Sequence, residues 1–197
     1  FLEILLKNLS KKGFSKIIIS TFYKANYISD YFGDNYFKME ILYSKDDKPL
    51  GTGGALRVAE DMCKENHYYV FNGDTFLDID IHLMEKMWGT YKKPIIVGTE
   101  LDNCERFGTL KVENNFITEF SEKKKVTNGL INAGCYLFPK RFLEKWRRGK
   151  KFSLEKDHLQ KMPLRDQIMC FKSKGIFVDI GIIEDYEKAH YLLKNEL

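Results

Sequence analysis

Cysteine and histidine are scarce in this chain of 197 residues, with four of each. Cys63, Cys104, Cys135 and Cys170 stand far apart, with no Cys-x-x-Cys pair and no histidine at ligand spacing beside them. That excludes the common zinc patterns, whose ligands come in closely spaced pairs. His67, His82, His158 and His190 are equally isolated, so neither residue type is placed as a nucleophile. Three of the cysteines lie in apolar segments, where a reduced thiol behaves as a small hydrophobe. A dominant charge is missing too: 32 basic against 28 acidic residues leave a formal +4, too small an excess to point to nucleic acid. The basic stretch from Lys140-Arg141 to Arg147-Arg148-Gly149-Lys150-Lys151 reads as a solvated face. No apolar run reaches the roughly 20 residues of a membrane span, and no signal peptide is recognisable. The expectation is a cytoplasmic protein with no membrane and no nucleic-acid partner.

The composition that remains, 44% hydrophobic and 30% charged, is that of a globular protein. One domain, residues 1–197, follows from a length prior of roughly 150 residues per domain. Strands and helices alternate. Leu2, Leu5, Leu6 and Leu9 mark a helix that Gly13 would stop. A strand at Lys16–Ser20, a helix through Tyr27, Ile28, Tyr31 and Phe32, and a strand at Met39–Tyr43 follow. A glycine run opens a helix over about Gly54–Cys63, and Tyr69–Asp74 is the next strand. A helix near His82–Tyr91 precedes the strand Ile95–Gly98. This alternation predicts βαβ units and a largely parallel sheet.

The second half changes character. Phe107–Val112 and Phe116–Phe120 suggest a hairpin joined by Glu113-Asn114-Asn115. Ile131–Phe138 suggests a strand and Lys140–Trp146 a helix. Ser153 is a suitable N-cap for a further helix through Leu154, His158 and Leu159. Strands at Ile168–Phe171 and Ile176–Ile180 precede a last helix through Tyr186, Ala189, Tyr191 and Leu192. Leu83, Met84, Met87 and Trp88 form an apolar stripe that suits the core or a subunit interface, which leaves a homo-oligomer open.

Two carboxylates draw attention by position. Asp74 closes the run Tyr69-Val70-Phe71-Asn72-Gly73-Asp74, and Asp179 lies in Phe177-Val178-Asp179-Ile180-Gly181. Open α/β sheets bind ligands at the carboxyl ends of their strands. If the two strands are neighbours, both carboxylates face one crevice and offer hard oxygens to Mg²⁺ beside substrate phosphates. Upstream, Leu50-Gly51-Thr52-Gly53-Gly54-Ala55 lets backbone N–H groups approach a ligand closely. The alternative is that both aspartates are turn or cap residues and the glycines a tight strand-to-helix turn.

The order of the pieces then carries a resemblance. Pro49-Leu50-Gly51-Thr52-Gly53-Gly54-Ala55, Asn72-Gly73-Asp74, Arg106-Phe107-Gly108, Phe120-Ser121-Glu122-Lys123, Ile131-Asn132-Ala133-Gly134-Cys135-Tyr136 and Phe177-Val178-Asp179-Ile180-Gly181 occur in sequence. The series resembles the sugar-1-phosphate nucleotidyltransferases. Phe152-Ser153-Leu154-Glu155-Lys156-Asp157 brings it nearest to the heptose 1-phosphate guanylyltransferase branch. The likeness covers essentially the whole chain.

That resemblance implies a Rossmann-like, doubly wound mixed sheet of the nucleotidyltransferase type. It implies that Leu50, Gly51, Thr52 and Gly53, with Asn72 and Gly73, bind the nucleotide. Asp74 and Asp179 would hold Mg²⁺ and serve catalysis together with Lys123. Gly108, Glu122, Lys123, Asn132, Gly134 and Glu155 would line the sugar-phosphate pocket. The substrates would be GTP and D-glycero-D-manno-heptose 1-phosphate, giving an activated sugar for surface polysaccharide synthesis. Competing readings stand beside these. Lys123-Lys124-Lys125 can be a solvated run, Asn132 and Gly134 a bulge, and Glu155 and Asp157 first-turn acids of a helix.

Two departures from the family pattern bear on activity. Ile182 stands where a threonine usually follows Ile180-Gly181. The chain also begins at a helix, where the family has first a strand and a Gly-rich, Arg-bearing phosphate loop. The chain as it stands is therefore expected to be impaired. A catalytically silent, sugar-nucleotide-binding regulatory or assembly subunit of the same fold is the alternative function.

Overall fold

The computed structural model describes residues 1–121, 127–162 and 167–194. They gather into two compact units, the first of Phe1–Glu65 with Lys140–His158, the second of Asn66–Pro139 with the described residues from Leu159 onward. No helix among the described residues is long and apolar enough to cross a membrane.

The first unit starts with α1 (Leu2–Lys11), whose leucine stripe turns Leu5, Leu6 and Leu9 into the core. The helix stops where expected, with Gly13 at φ +89° just beyond it. β1 (Lys16–Thr21), α2 (Ala25–Phe32), β2 (Asn35–Tyr36), β3 (Met39–Lys45) and α3 (Gly51–Glu60) follow. β1 pairs in parallel with β3, and the short β2 adds an antiparallel edge. Met39 and Ile41 alternate with exposed neighbours on β3, which sets the buried face of this sheet. Lys140–Trp146 is a series of turns, where the sequence suggests a helix. Arg141 takes φ +65°, and the bonds are of the i+3 type, Glu144 N–H to the Arg141 carbonyl and Trp146 N–H to that of Leu143. A residue in the left-handed region cannot continue an α-helix.

In the second unit come β4 (His67–Phe71), β5 (Thr75–Leu77), α4 (Ile81–Tyr91), β6 (Ile95–Leu101), β7 (Thr109–Glu113), β8 (Phe116–Ser121) and β9 (Gly129–Pro139). β10 (Met169–Lys172), β11 (Phe177–Asp179) and α5 (Ile183–Leu192) complete it. The large sheet has the order β4-β9-β6-β10-β8-β7. It is less parallel than the alternation predicts. β9 runs antiparallel to both β4 and β6, and the parallel pair here is β6–β10. A strand that returns late in the chain has separated two strands joined by a helical crossover. The β7–β8 hairpin turns at Asn114 and Asn115, both with positive φ, a conformation asparagine tolerates better than most residues.

Behind this sheet, Met84 and Trp88 of α4 join Ile95, Val97, Leu137 and Met169 in the core, with Met87 packed against them. The apolar stripe of α4 is therefore mainly core, and only Leu83 is half exposed. Asp80 caps α4 by accepting the Leu83 N–H at 2.9 Å.

Candidate active site

β4 stops at Phe71, and the chain turns through Gly73 and Asp74 before re-entering as β5. Asp74 thus lies in a turn between two strands rather than at the tip of one long strand. β5 is the neighbour that matters. It pairs antiparallel with β11, setting Thr75 opposite Asp179, Phe76 opposite Val178 and Leu77 opposite Phe177. The Ile180 N–H extends the ladder by donating to the Asp74 carbonyl at 2.9 Å. The buried Thr75 hydroxyl consequently lies between two carboxylates, 3.3 Å from Asp74 Oδ1 and 3.5 Å from Asp179 Oδ2. Both contacts are long, so the hydroxyl marks the meeting point of the carboxylates more than it binds them.

Asp179 is otherwise well held. Its Oδ1 accepts the Gly181 N–H at 3.1 Å and Arg106 Nη2 at 2.7 Å. The other guanidinium nitrogen, Nη1, donates to Asp185 in the first turn of α5. Among the described residues no group of three or more His, Cys, Asp or Glu side chains forms a metal cage. Asp74 and Asp179 are a pair of hard oxygen donors. That suits a cation that takes one or two protein carboxylates and completes its shell with water and phosphate.

A second group of predicted residues adjoins them in the same unit. The Asn72 N–H donates to the Gly134 carbonyl at 2.9 Å, and the Asn132 N–H to the Gly108 carbonyl at 2.8 Å. Asn132 Oδ1 accepts the Gly134 N–H at 3.1 Å, while its Nδ2 donates to the buried Tyr136 hydroxyl at 2.8 Å. Gly134 sits at φ +66° where the β6–β9 register shifts, and a Cβ there would come 2.6 Å from Asn72 Nδ2. The strand therefore bulges, as the competing reading of Asn132 and Gly134 anticipates, and the bulge packs against Asn72, two residues before Asp74. Glu122 and Lys123 lie outside the described residues; β8 leads up to them, ending at Ser121.

The glycine run belongs to the first unit and forms the opening turn of α3. Leu50 is buried, Gly51 has φ +73°, and the N–H groups of Gly53 and Gly54 both donate to the Phe152 carbonyl, at 3.1 and 3.3 Å. The reason for glycine here is close packing: a Cβ on Gly53 would lie 2.1 Å from the Phe152 ring. That ring stacks on Trp146 with centroids 4.0 Å apart. Glu155 joins the same cluster, its Oε2 accepting from the Thr52 hydroxyl at 2.8 Å and the Ser153 hydroxyl at 2.9 Å. Ser153 caps as predicted, taking the Lys156 N–H at 3.2 Å, but the turn it opens, Leu154–His158, is a single π turn.

The thiols are poorly suited to act as nucleophiles. Burial pushes Cys63 and Cys170 up to about 11 and raises Cys104 and Cys135 as well, so all four stay protonated at neutral pH. Two participants escape sequence reasoning. Thr75 follows Asp74 without any pattern of its own. Arg106 stands inside a quoted motif, yet its partners lie 73 and 79 residues away.

A family model for nucleotidyl transferases matches residues 1–196. The chain belongs to the nucleotidyl transferase family. It is 35% identical over 196 residues to D-glycero-alpha-D-manno-heptose 1-phosphate guanylyltransferase of Aneurinibacillus thermoaerophilus, covering 99% of this chain and 85% of that protein. The protein of the same name from Campylobacter jejuni is 35% identical over 199 residues, covering 99% of this chain and 86% of its own. Among solved structures, HddC from Yersinia pseudotuberculosis complexed with GMP-PN superposes with a TM-score of 0.86 at 33% identity, over 98% of this chain and 85% of that one. A putative glucose-1-phosphate thymidylyltransferase from Bacillus anthracis shares the fold at 19% identity, with a TM-score of 0.83 over 98% of this chain and 82% of its own. The nucleotidyl transferase is thus a member of an enzyme family, with the mixed α/β fold that the sequence implies.

Proposed function

We propose that this nucleotidyl transferase moves the guanylyl group of GTP onto D-glycero-α-D-manno-heptose 1-phosphate and releases pyrophosphate. The observation that carries the proposal is the 35% identity, along 99% of the chain, to enzymes named for that transfer. The likeness to HddC in its GMP-PN complex supports a guanine nucleotide.

In this reaction an oxygen of the sugar phosphate forms a bond to the α-phosphorus of the nucleotide. The bond from that phosphorus to the β-bridging oxygen breaks, and pyrophosphate leaves with the electron pair. No covalent enzyme intermediate is needed, which agrees with four protonated thiols, and the work left for the protein is positioning. Asp74 and Asp179 would hold Mg²⁺, which when bound neutralises phosphate charge. Leu50, Gly51, Thr52 and Gly53, together with Asn72 and Gly73, would seat the nucleotide. Gly108, Glu122, Asn132, Gly134 and Glu155 would seat the sugar phosphate, with Lys123 as a point charge on the attacking phosphate.

Pyrophosphate release by the full-length gene product tests the proposal, with Mg²⁺, each nucleoside triphosphate in turn, and a panel of heptose and hexose 1-phosphates. Release with GTP and the heptose 1-phosphate is the expected result. Release with a different pair keeps nucleotidyl transfer and overturns the substrates. Silence with every pair overturns the enzyme in favour of a sugar-nucleotide-binding subunit.

A further inference from the structure

Arg106 spans two carboxylates, Asp179 at the end of β11 and Asp185 in the first turn of α5. Its Nη2 lies 2.7 Å from Asp179 Oδ1, and its Nη1 donates to Asp185 on α5. Phe107 supports the group from below, with the guanidinium carbon 5.5 Å from the ring centroid. Gly181 leaves room for it, because a Cβ there would come 3.0 Å from Asp179 Oδ1 and 3.4 Å from Arg106 Nη2. The two aspartates of the site are therefore unequal. Asp179 accepts from Arg106 and Gly181, whereas the Asp74 carboxylate has among the described residues only the Thr75 hydroxyl, which it shares with Asp179 at long range.

This asymmetry matters if Asp179 is a metal carboxylate, as the proposed function holds and on which this inference rests. We propose that Arg106 is a built-in counter-cation that competes with the divalent metal for Asp179. Arg106 repels a second cation at close range while occupying one of the oxygens that cation would use. The pair is also partly exposed, with Arg106 at 38%, and partly exposed ion pairs exchange partners at small cost. A polyphosphate supplies the alternative partner. The guanidinium fork fits phosphate oxygens as well as carboxylate oxygens, and one polyphosphate carries enough negative charge for both cations. Metal and nucleotide therefore bind this chain cooperatively: the nucleotide's phosphates draw Arg106 away and free Asp179 for the metal, and the metal in turn leaves Arg106 free for the phosphates.

The test is Mn²⁺ affinity, read from the electron paramagnetic resonance signal of the free ion, with Mn²⁺ alone and then with GTP, after subtracting the signal that the same GTP removes without protein. Wild type, Arg106→Gln and Asp179→Asn are compared. Arg106→Gln should bind Mn²⁺ alone about tenfold more tightly than wild type, since one unit of repelling charge is gone. The tightening of Mn²⁺ binding by GTP should shrink by a similar factor. Asp179→Asn should lose Mn²⁺ binding in both conditions. If Asp179→Asn binds Mn²⁺ as wild type does, the metal assignment itself fails. If Asp179→Asn loses the ion but Arg106→Gln gains no affinity for it, the counter-cation is overturned and the metal assignment stands. Should Arg106→Gln not fold, Arg106→Lys replaces it. A lysine cannot bridge both carboxylates in a fork, so a few-fold tighter Mn²⁺ binding is expected, and unchanged affinity overturns the proposal.

Discussion

Thr75 faces Asp179 across the β5–β11 ladder, and its hydroxyl comes within 3.5 Å of the aspartate's Oδ2 and 3.3 Å of Asp74 Oδ1. Two residues 104 apart in sequence are thereby fixed by backbone pairing, which sets the distance between the two site carboxylates more firmly than side-chain contacts could. Asp179 inherits its position from a ladder residue, while Asp74 inherits its own from the turn that starts the partner strand. Any movement of β11 against β5 would change what the two carboxylates can hold together.

Replacing Asp179 with asparagine keeps the shape and removes the charge. Turnover in the pyrophosphate-release assay should fall by about three orders of magnitude, within the range that positioned charge contributes to a chemical step. Thr75→Val should keep the ladder and cost only a few-fold, because the hydroxyl's contacts to both carboxylates are long. Equal losses for both substitutions would make Thr75 itself a principal group of the site; no loss for Asp179→Asn would remove the aspartate from it.

Asp74 and Asp179 stand out in sequence because each lies where an apolar strand gives way to glycine, and the glycine run stands out by its composition alone; both are local signals. The link between the two aspartates was not legible. It depends on β5, a strand of three buried residues, too short for any alternation to register. Likewise Phe142, Leu143 and Trp146 look helical in spacing, yet Arg141 adopts a left-handed backbone that no pattern of side chains announces. The insertion of β9 between β4 and β6 is a matter of tertiary pairing, chosen among strands far apart in the chain. The glycines were read for closeness to a ligand, and the contact visible in the first unit is with Phe152.

Gly53 gives that packing a direct test. Alanine would place a methyl carbon 2.1 Å from a Phe152 ring that is almost fully buried and stacked on Trp146. The ring has little room to retreat, so Gly53→Ala should destabilise by about 1–3 kcal/mol, the usual cost of overpacking. Gly89 is the control. It lies in α4 with nothing within 4 Å of its would-be Cβ, so Gly89→Ala should stabilise by roughly 0.5–1 kcal/mol. Urea unfolding of the two variants beside wild type separates these signs.

Ile182 occupies the N-cap of α5 with the extended backbone that position requires, φ −130° and ψ 157°, yet its side chain offers no acceptor. The helix consequently begins without a side-chain cap, and Ile182 is 41% exposed. Ile182→Thr supplies the missing oxygen at no steric cost and should raise stability by about 1 kcal/mol. Slower amide exchange confined to the first turn of α5 would locate the gain; an unchanged first turn would refute it.

His158 is the group whose titration the folded state opposes most clearly. It is 2% exposed, and Trp146 Nε1, which can only donate, points at its Nδ1 from 2.9 Å. Nδ1 must therefore be unprotonated, and the neutral ring carries its proton on Nε2, which is buried without a partner among the described residues. Burial, assisted by the charge of Lys145, lowers His158 from 6.5 to about 4. The unfolded chain then binds more protons than the folded one between those values, so stability is full above pH 6.5 and declines as the pH falls towards 4. Between pH 7.5 and 5 the loss should be about 2 kcal/mol from this residue alone. His158→Gln retains an acceptor for Trp146 and removes the titration, so the variant's urea midpoint should fall less steeply over that interval. Parallel profiles for variant and wild type would mean that some other group carries the acid sensitivity.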